Sequence, residues 1–352
     1  MQDDNEYSGR DLSFQTENVA ELIELYFRKG WTDGLPVIPP STNSVEAMLK
    51  AAGLKGNDPI AEVRERNVCI TPDKVAINAV MAGCRPEYMP VVITAVKCLC
   101  HPDFGYHGIA ASTGGASVVI IVNGPIARKI GINFGENLFG PGNRPNLTIG
   151  RALRLLMINT IHTSPGILDR STFGSPGKIS FCFAENEELC KWDPLHVERG
   201  FQLNESTTTL FAAEDIIQIY NQLARTPEPL LIGVADAMAN MGSMNIIRQQ
   251  QVVVVFGGEH AAVLTKNGWP KGRIRKFIFE HAKRKVADLK TAGRIAGKVN
   301  PGDKDIYYHA VRQPEDIILM CAGGSVGSFS ACLLGWGSLK ATRSVTLPIH
   351  MP

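Results

Sequence analysis

The chain lacks several things, and each absence closes off a class of function. No apolar run reaches the ~18 residues that a membrane-spanning helix needs. The opening MQDDNEYSGRDLSF is acidic and polar, without the apolar centre of a secretory leader, so a cytoplasmic protein is expected. Aromatic residues are 7% of the chain, too sparse to build the stacking platforms that hold single-stranded nucleic acid. The net charge is only +2, and no basic tract extends beyond Lys271–Lys285, so a polyanion finds no concentrated face. The patterns GxGxxG, GxxxxGK followed by Ser or Thr, and HExxH are missing, which leaves no nucleotide fingerprint and no zinc-protease signature. The eight cysteines (69, 84, 98, 100, 182, 190, 321, 332) form no CxxC pair. In a chain with an ample core they read as free thiols in a reducing cytosol, and no metal site is expected.

What is present is ordinary globular material. The chain has 352 residues, 44% hydrophobic, a length that suggests about two domains. Residues 1–17 read as a disordered N-terminus. Residues 18–204 read as an N-terminal α/β lobe with glycine-rich anion loops, and 205–352 as a C-terminal α/β lobe. An amphipathic helix follows Thr16, with Asn18 as a cap. Ser41 or Thr42 caps a helix over Val45–Ala52, and a helix over Lys74–Ala82 stops at Gly83. Further helices are expected over Val91–Cys100, Leu147–Thr160, Glu214–Ala224 and Lys271–Lys285. Strands are expected over Val68–Ile70, Val118–Val122, Ile179–Ala184, Thr207–Phe211, Leu230–Val234, Val252–Phe256 and Ile317–Cys321.

Val118–Val122 opening into Asn123-Gly124-Pro125 resembles Val252–Phe256 opening into Gly257-Gly258-Glu259. The expected fold is therefore α/β, two similar lobes of mainly parallel strands covered by helices, related by an internal duplication.

The stretch Ala111–Arg154 looks like the centre of a ligand site. Ser112-Thr113-Gly114-Gly115 offers backbone N–H groups, and glycine lets a backbone approach an anion closely. At the start of the following helix, Asn143, Arg144, Asn146, Thr148 and Arg151 gather where a carboxylate or phosphate would be stabilised, with Asn146 as its cap. Cys84-Arg85-Pro86-Glu87 sets a thiol beside an arginine and a carboxylate. This makes Cys84 a candidate nucleophile or redox group, Arg85 an anion ligand and Glu87 a proton carrier. Glu259 and His260 follow a buried strand, where α/β sites usually lie, and His260 is the second acid–base candidate.

Three strings are long enough to carry a resemblance: Gly30-Trp31-Thr32-Asp33-Gly34-Leu35-Pro36-Val37-Ile38-Pro39-Pro40, Met81-Ala82-Gly83-Cys84-Arg85-Pro86-Glu87-Tyr88-Met89-Pro90-Val91-Val92, and Gly140–Leu155. With Gly258–Trp269 they resemble an uncharacterised bacterial family bearing WTDGLPVxPP and AGCRPEYxPVV motifs. The chain departs from that pattern at Ser41, where threonine is expected, and at Gly258, where proline is. Such proteins are often encoded beside, or fused to, a short redox-like protein named for a Sec/Cys-Gly-Ser-Cys motif. The resemblance implies a thiol or selenol partner protein and no particular cofactor.

The expected function is a subunit of a soluble enzyme acting on a small anionic substrate, carboxylate or phosphate-like. It would use thiol-dependent redox chemistry and work as a homo- or hetero-oligomer. The alternatives are a lyase or hydrolase using Glu87 and His260, and a non-catalytic scaffold subunit.

Overall fold

The structure, a computed structural model, describes residues 18–352. The segment 1–17, read from sequence as disordered, lies outside the described residues. The chain begins with helices α1 (Val19–Arg28) and α2 (Thr42–Ala51), the small hairpin β1 (Ala61–Val63) and β2 (Val68–Ile70), and helices α3 (Pro72–Ala82), α4 (Met89–Leu99) and α5 (Tyr106–Ala111). Next come β3 (Ser117–Asn123), α6 (Pro125–Lys129), α7 (Arg144–Asn159), β4 (Cys182–Ala184), α8 (Leu195–Glu198) and the long β5 (Thr207–Tyr220). The remainder is α9 (Pro227–Met238), α10 (Asn245–Arg248), β6 (Val252–Phe256), α11 (Gly258–Lys266), α12 (Lys271–His281), β7 (Lys283–Lys285), α13 (Val286–Thr291), β8 (Tyr307–His309), β9 (Ile317–Cys321), β10 (Phe329–Gly335) and β11 (Val345–Pro348).

Local chemistry explains most of the boundaries. The Asn18 side chain accepts from Ala20 N–H at the start of α1, and Ser41 forms a capping box with Ser44 on α2. Gly83 ends α3 at φ 91°, a left-handed turn that a side chain would strain. The cap of α7 is Asn143, whose side chain accepts from Asn146 N–H, and not Asn146 itself. Asn146 turns back instead and pairs with the backbone of Asn133.

Two expected elements exchange identity. Glu214–Ala224 was expected to be a helix, but most of it is the second half of β5. Its β-branched residues Ile216, Ile217 and Ile219 lie in a strand paired with β10, and β-branching favours that setting. Leu230–Val234 was expected to be a strand, but it lies inside α9. Pro227 sits in the first turn there, and Leu230, Leu231, Val234, Ala235 and Met238 are buried at helical spacing.

Among the described residues the main sheet has seven strands. Its order is β4-β3-β5-β10-β6-β9, with β11 also on β5. β3 pairs parallel with β4 and antiparallel with β5; β6 pairs parallel with β9 and antiparallel with β10. β5 and β10 join antiparallel, placing Tyr220 opposite Phe329. The expectation of mainly parallel strands is therefore corrected: two pairings are parallel and four antiparallel. The antiparallel pairings all come from β5, which runs against β3, β10 and β11, and from β10, which also runs against β6.

The sheet curls. Val119, Ile121, Phe183, Phe211, Val253, Val255, Ile318, Met320 and Leu333, from all six strands of the main path, share one inner core. The alternate residues face outward. Ile120, Val122 and Leu210 pack under α3, α4 and α7, whereas Val254, Leu319 and Leu334 pack under α9, α11 and α12. The two edge strands meet at their carboxyl ends: Asn186 N–H donates to Cys321 O at 2.8 Å, and a Cys190–Cys321 disulfide fastens the same place. This corrects the expectation that all eight cysteines are free. Spacing gave no hint of the pair, because curling brings together residues 131 positions apart.

Candidate functional site

The residues singled out in the sequence fall into three places. The first is the start of α7. Arg144 donates from Nε and Nη2 to Gly83 O at 3.0 and 2.9 Å, and the Cys84 thiol donates to Thr148 O at 3.3 Å. The Cys84 loop and the α7 start therefore do meet. Cys84 is buried, however, and burial pushes its thiol up to about 12, so it stays protonated at neutral pH. Asn143 also donates to Gly131 O, and Thr148 Oγ1 donates to Arg144 O. Arg151 is committed to Asp33 through Nε and Nη2 at 2.7 and 2.8 Å, and it donates further to Leu35 O and Pro36 O. It clamps the Trp31–Pro36 turn onto α7. Arg85 and Glu87 lie outside this cluster on the surface, 3.8 Å apart.

The second place is the start of α11. His260 is buried with both ring nitrogens engaged: Nδ1 with Ser330 Oγ at 2.7 Å and Nε2 with Asn221 O at 3.1 Å. Burial lowers its pKa, so the ring is neutral. Glu259 accepts from Ser328 Oγ, which holds its carboxyl below the usual range. No hydrogen bond or ion pair links His260 or Glu259 to Glu87.

The third place is the Ser112–Gly115 turn, which leads to residues that sequence reasoning missed. Gly114 N–H is taken by Ser112 Oγ at 2.9 Å, so this turn does not present that amide to a ligand. Thr113 O instead accepts from Thr172 N–H at 2.9 Å. Gly115 lies so close to Gly174 that an added Cβ would fall 2.5 Å from its backbone, so glycine is required there. This contact docks the loop 164–178 against the turn.

That loop carries Asp169, Ser171 and Lys178. Lys178 Nζ donates to both Asp169 oxygens, at 2.9 and 2.8 Å, and to Ser171 Oγ at 2.6 Å. Ser171 Oγ in turn lies 2.6 Å from Asp169 Oδ1. Burial pulls the Asp169 pKa upward, but hydrogen bonds from Lys178 and Ser171 outweigh it and hold the carboxyl below its ordinary value.

Arg154 completes the group. It projects from α7, and its only hydrogen bond among the described residues goes to Asp169 Oδ2 at 3.4 Å. It is 9% exposed. Beside it lies a cavity of about 20 Å³, lined by Arg154, Asp169, Thr163 and Lys178 on the polar side and by Leu153, Met157 and Phe181 on the apolar side. A volume of that size holds about one water. Two cations against one carboxylate leave the wall with one positive charge. The loop's outer side bears Phe173, which is 99% exposed, and Ile167.

The missed residues left one signal in the sequence: Arg154 interrupts the apolar run Ala152-Leu153-Arg154-Leu155-Leu156-Met157, and a charge on a buried helix face needs a reason. Among the described residues no group of three or more His, Cys, Asp or Glu side chains is placed to hold a metal ion, and no helix is long and apolar enough to cross a membrane. No protein-family profile matches this chain, and no curated protein aligns with it significantly.

Proposed function

We propose that the chain acts, as an enzyme or enzyme subunit, on a small anionic substrate, a carboxylate or phosphate-like group, held at Arg154 and Lys178. The carrying observation is Arg154, a buried guanidinium with one long hydrogen bond, lining a cavity whose wall holds one unmatched positive charge. The Arg154 Nε and Nη1 are not among the sealed polar atoms that lack a partner, so these donors stay accessible for an incoming anion. The apolar part of the lining suits a short hydrocarbon tail. The cavity is small, so entry requires the 164–178 loop to move outward.

The test is a melting-temperature screen of small carboxylates and inorganic phosphate. A ligand at 100 times its Kd adds ~2.7 kcal/mol. Arg154→Gln should abolish the shift and Arg154→Lys should keep part of it. A shift unchanged in Arg154→Gln would overturn the reading.

The hydrolase alternative draws support from Ser171 more than from Glu87 and His260. Its hydroxyl lies 2.6 Å from both the Lys178 ammonium and the Asp169 carboxylate, and the carboxylate is the group there that would have to take its proton. The thiol-dependent reading, with a thiol or selenol partner protein as the bacterial family resemblance implies, draws on Cys190–Cys321. A dithiol reductant would donate two electrons and two protons to that pair and itself become a disulfide. Cys84 joins such chemistry only if its buried thiol, which donates to Thr148 O, becomes exposed.

An internal duplication into two similar lobes is supported by the repeated order of one strand, a parallel neighbour and an antiparallel return: β3, β4, β5 and then β6, β9, β10. A cytoplasmic location is supported by six free cysteines, whereas the disulfide weighs toward a more oxidising setting.

A further inference from the structure

The wall of the Arg154 cavity divides by chemistry. Arg154, Lys178, Asp169 and Thr163 bring charge and hydroxyl to it, and most of the remainder is apolar: Ile109, Ala110, Val118, Leu153, Met157 and Phe181.

Few donors in that wall remain free. Lys178 has three N–H bonds and three acceptors, the two Asp169 oxygens and Ser171 Oγ, so it offers a ligand its charge and no hydrogen bond. Ser180 gives its proton to Asn146 O at 2.8 Å. Gly177 N–H goes to Ser175 Oγ at 3.3 Å. Arg154 spends only Nη2, on Asp169, and keeps Nε and Nη1.

Thr163 supplies one donor more. Its hydroxyl is bonded to the Tyr106 hydroxyl, and both side chains are buried. The pair holds two protons and shares one bond. A phenol is a stronger acid than an alcohol, so Tyr106 donates and Thr163 accepts. Burial raises the Tyr106 pKa, so the phenol keeps this proton. The Thr163 proton is then left without an acceptor among the described residues, on a residue of the cavity wall.

A ligand suited to this wall carries acceptors at one end and hydrocarbon at the other. Phosphate has oxygens on every side, and those turned away from Arg154 would meet the apolar wall with no donor in reach, which is costly. A carboxylate asks for donors at one end alone.

We propose that the cavity selects a short aliphatic monocarboxylate over phosphate, with the carboxylate held by Arg154 and Thr163, and Thr163 oriented by Tyr106. This rests on the anion reading of Arg154 given above and narrows it. The hydrocarbon part lies against Leu153, Met157 and Phe181.

The test follows melting of the full chain in titrations with formate, acetate, propionate, butyrate and inorganic phosphate, all as sodium salts at one ionic strength. Saturable stabilisation is expected from the carboxylates and none from phosphate. Affinity should rise about fourfold with each added methylene until the cavity is full, the equivalent of ~0.8 kcal/mol per buried CH₂. Thr163→Val, nearly the same in shape, should weaken the best carboxylate about tenfold, as loss of a hydrogen bond to a charged group does. Met157→Ala should move the preference to a longer acid, a change of ranking that general destabilisation does not produce. Phosphate binding as tightly as the best carboxylate, parent affinity in Thr163→Val, or an unchanged ranking in Met157→Ala would overturn the proposal and leave the anion reading standing. No stabilisation of the parent protein by any of the five anions would remove both. If Thr163→Val does not fold, the comparison with phosphate and the Met157→Ala ranking decide.

Discussion

Arg151 grips Asp33 through two parallel hydrogen bonds across 118 positions of chain, and both side chains are nearly closed off from solvent. This pairing fastens the Trp31–Pro36 turn, with its three nearby prolines, to the long helix. Arg151→Ala leaves the Asp33 carboxylate buried and unpaired, which costs about 3–5 kcal/mol. Arg151→Lys keeps the charge but loses the fork, so its loss should be smaller. Urea unfolding midpoints of the two variants check both the direction and the ranking.

Cys84 should resist alkylation in the folded protein at pH 7.5, whereas the exposed Cys69 should react. Mass spectrometry after brief iodoacetamide treatment reads this directly. The same burial has a pH consequence. The thiol titrates near 9 when unfolded and at about 12 when folded, as do Cys98 and Cys100. The unfolded chain loses these protons first, so stability is fully present below pH 9 and declines as pH rises from 9 toward 12. Unfolding midpoints at pH 7.5 and 10 should differ in that direction, and by less in Cys84→Ala.

His260 carries the opposite sign. Its folded pKa lies below its unfolded value near 6.5, so the unfolded chain takes up the proton first as pH falls. Its contribution is present above pH 6.5 and is lost as pH falls through the folded pKa. A melting curve series from pH 7.5 to 5 should show this slope, and His260→Leu should flatten it. The same variant strands Ser330 Oγ and Asn221 O, at about 1–3 kcal/mol for each group left buried and unpaired.

Cys190→Ser should lower stability by up to about 5 kcal/mol, the loop-closure value for a crosslink spanning 131 positions. Dithiothreitol should do the same to the parent protein and nothing further to the variant. Hydrogen exchange should rise first in residues 186–194, which the disulfide and the Asn186–Cys321 bond hold to the end of β9.

The sequence discloses this molecule unevenly, and the reasons are physical. The buried runs Val252–Phe256 and Ile317–Cys321, and the helix ends at Asn18, Ser41 and Gly83, depend on neighbours within a few positions, and they are legible. Glu214–Ala224 and Leu230–Val234 are not. Their apolar residues fit both periods, and what chose between them was the distant β10 for one and an unnoticed Pro227 start for the other. The Arg154 cavity is harder still. Asp169, Ser171 and Lys178 sit in a loop without periodicity, and contacts distant in sequence, Gly115 against Gly174 and Thr172 with Thr113 among them, hold that loop beside α7. Arg151 shows the converse, since an exposed-looking cation at a helix start proved to be committed to a partner far away in sequence.

β5 has one more consequence. It pairs with β3 over seven residues and with β10 over seven, so strands from both sides of Asn204 belong to one continuous sheet. A chain cut between Gly200 and Ser206 would leave β3 bare in one fragment and β5 bare in the other, each edge matched in register only to its former neighbour. Fragments 18–203 and 204–352 should therefore recombine when mixed, and at high concentration two intact chains could trade these pieces. The seam that makes the molecule one body is also the place where it can be taken apart and rejoined.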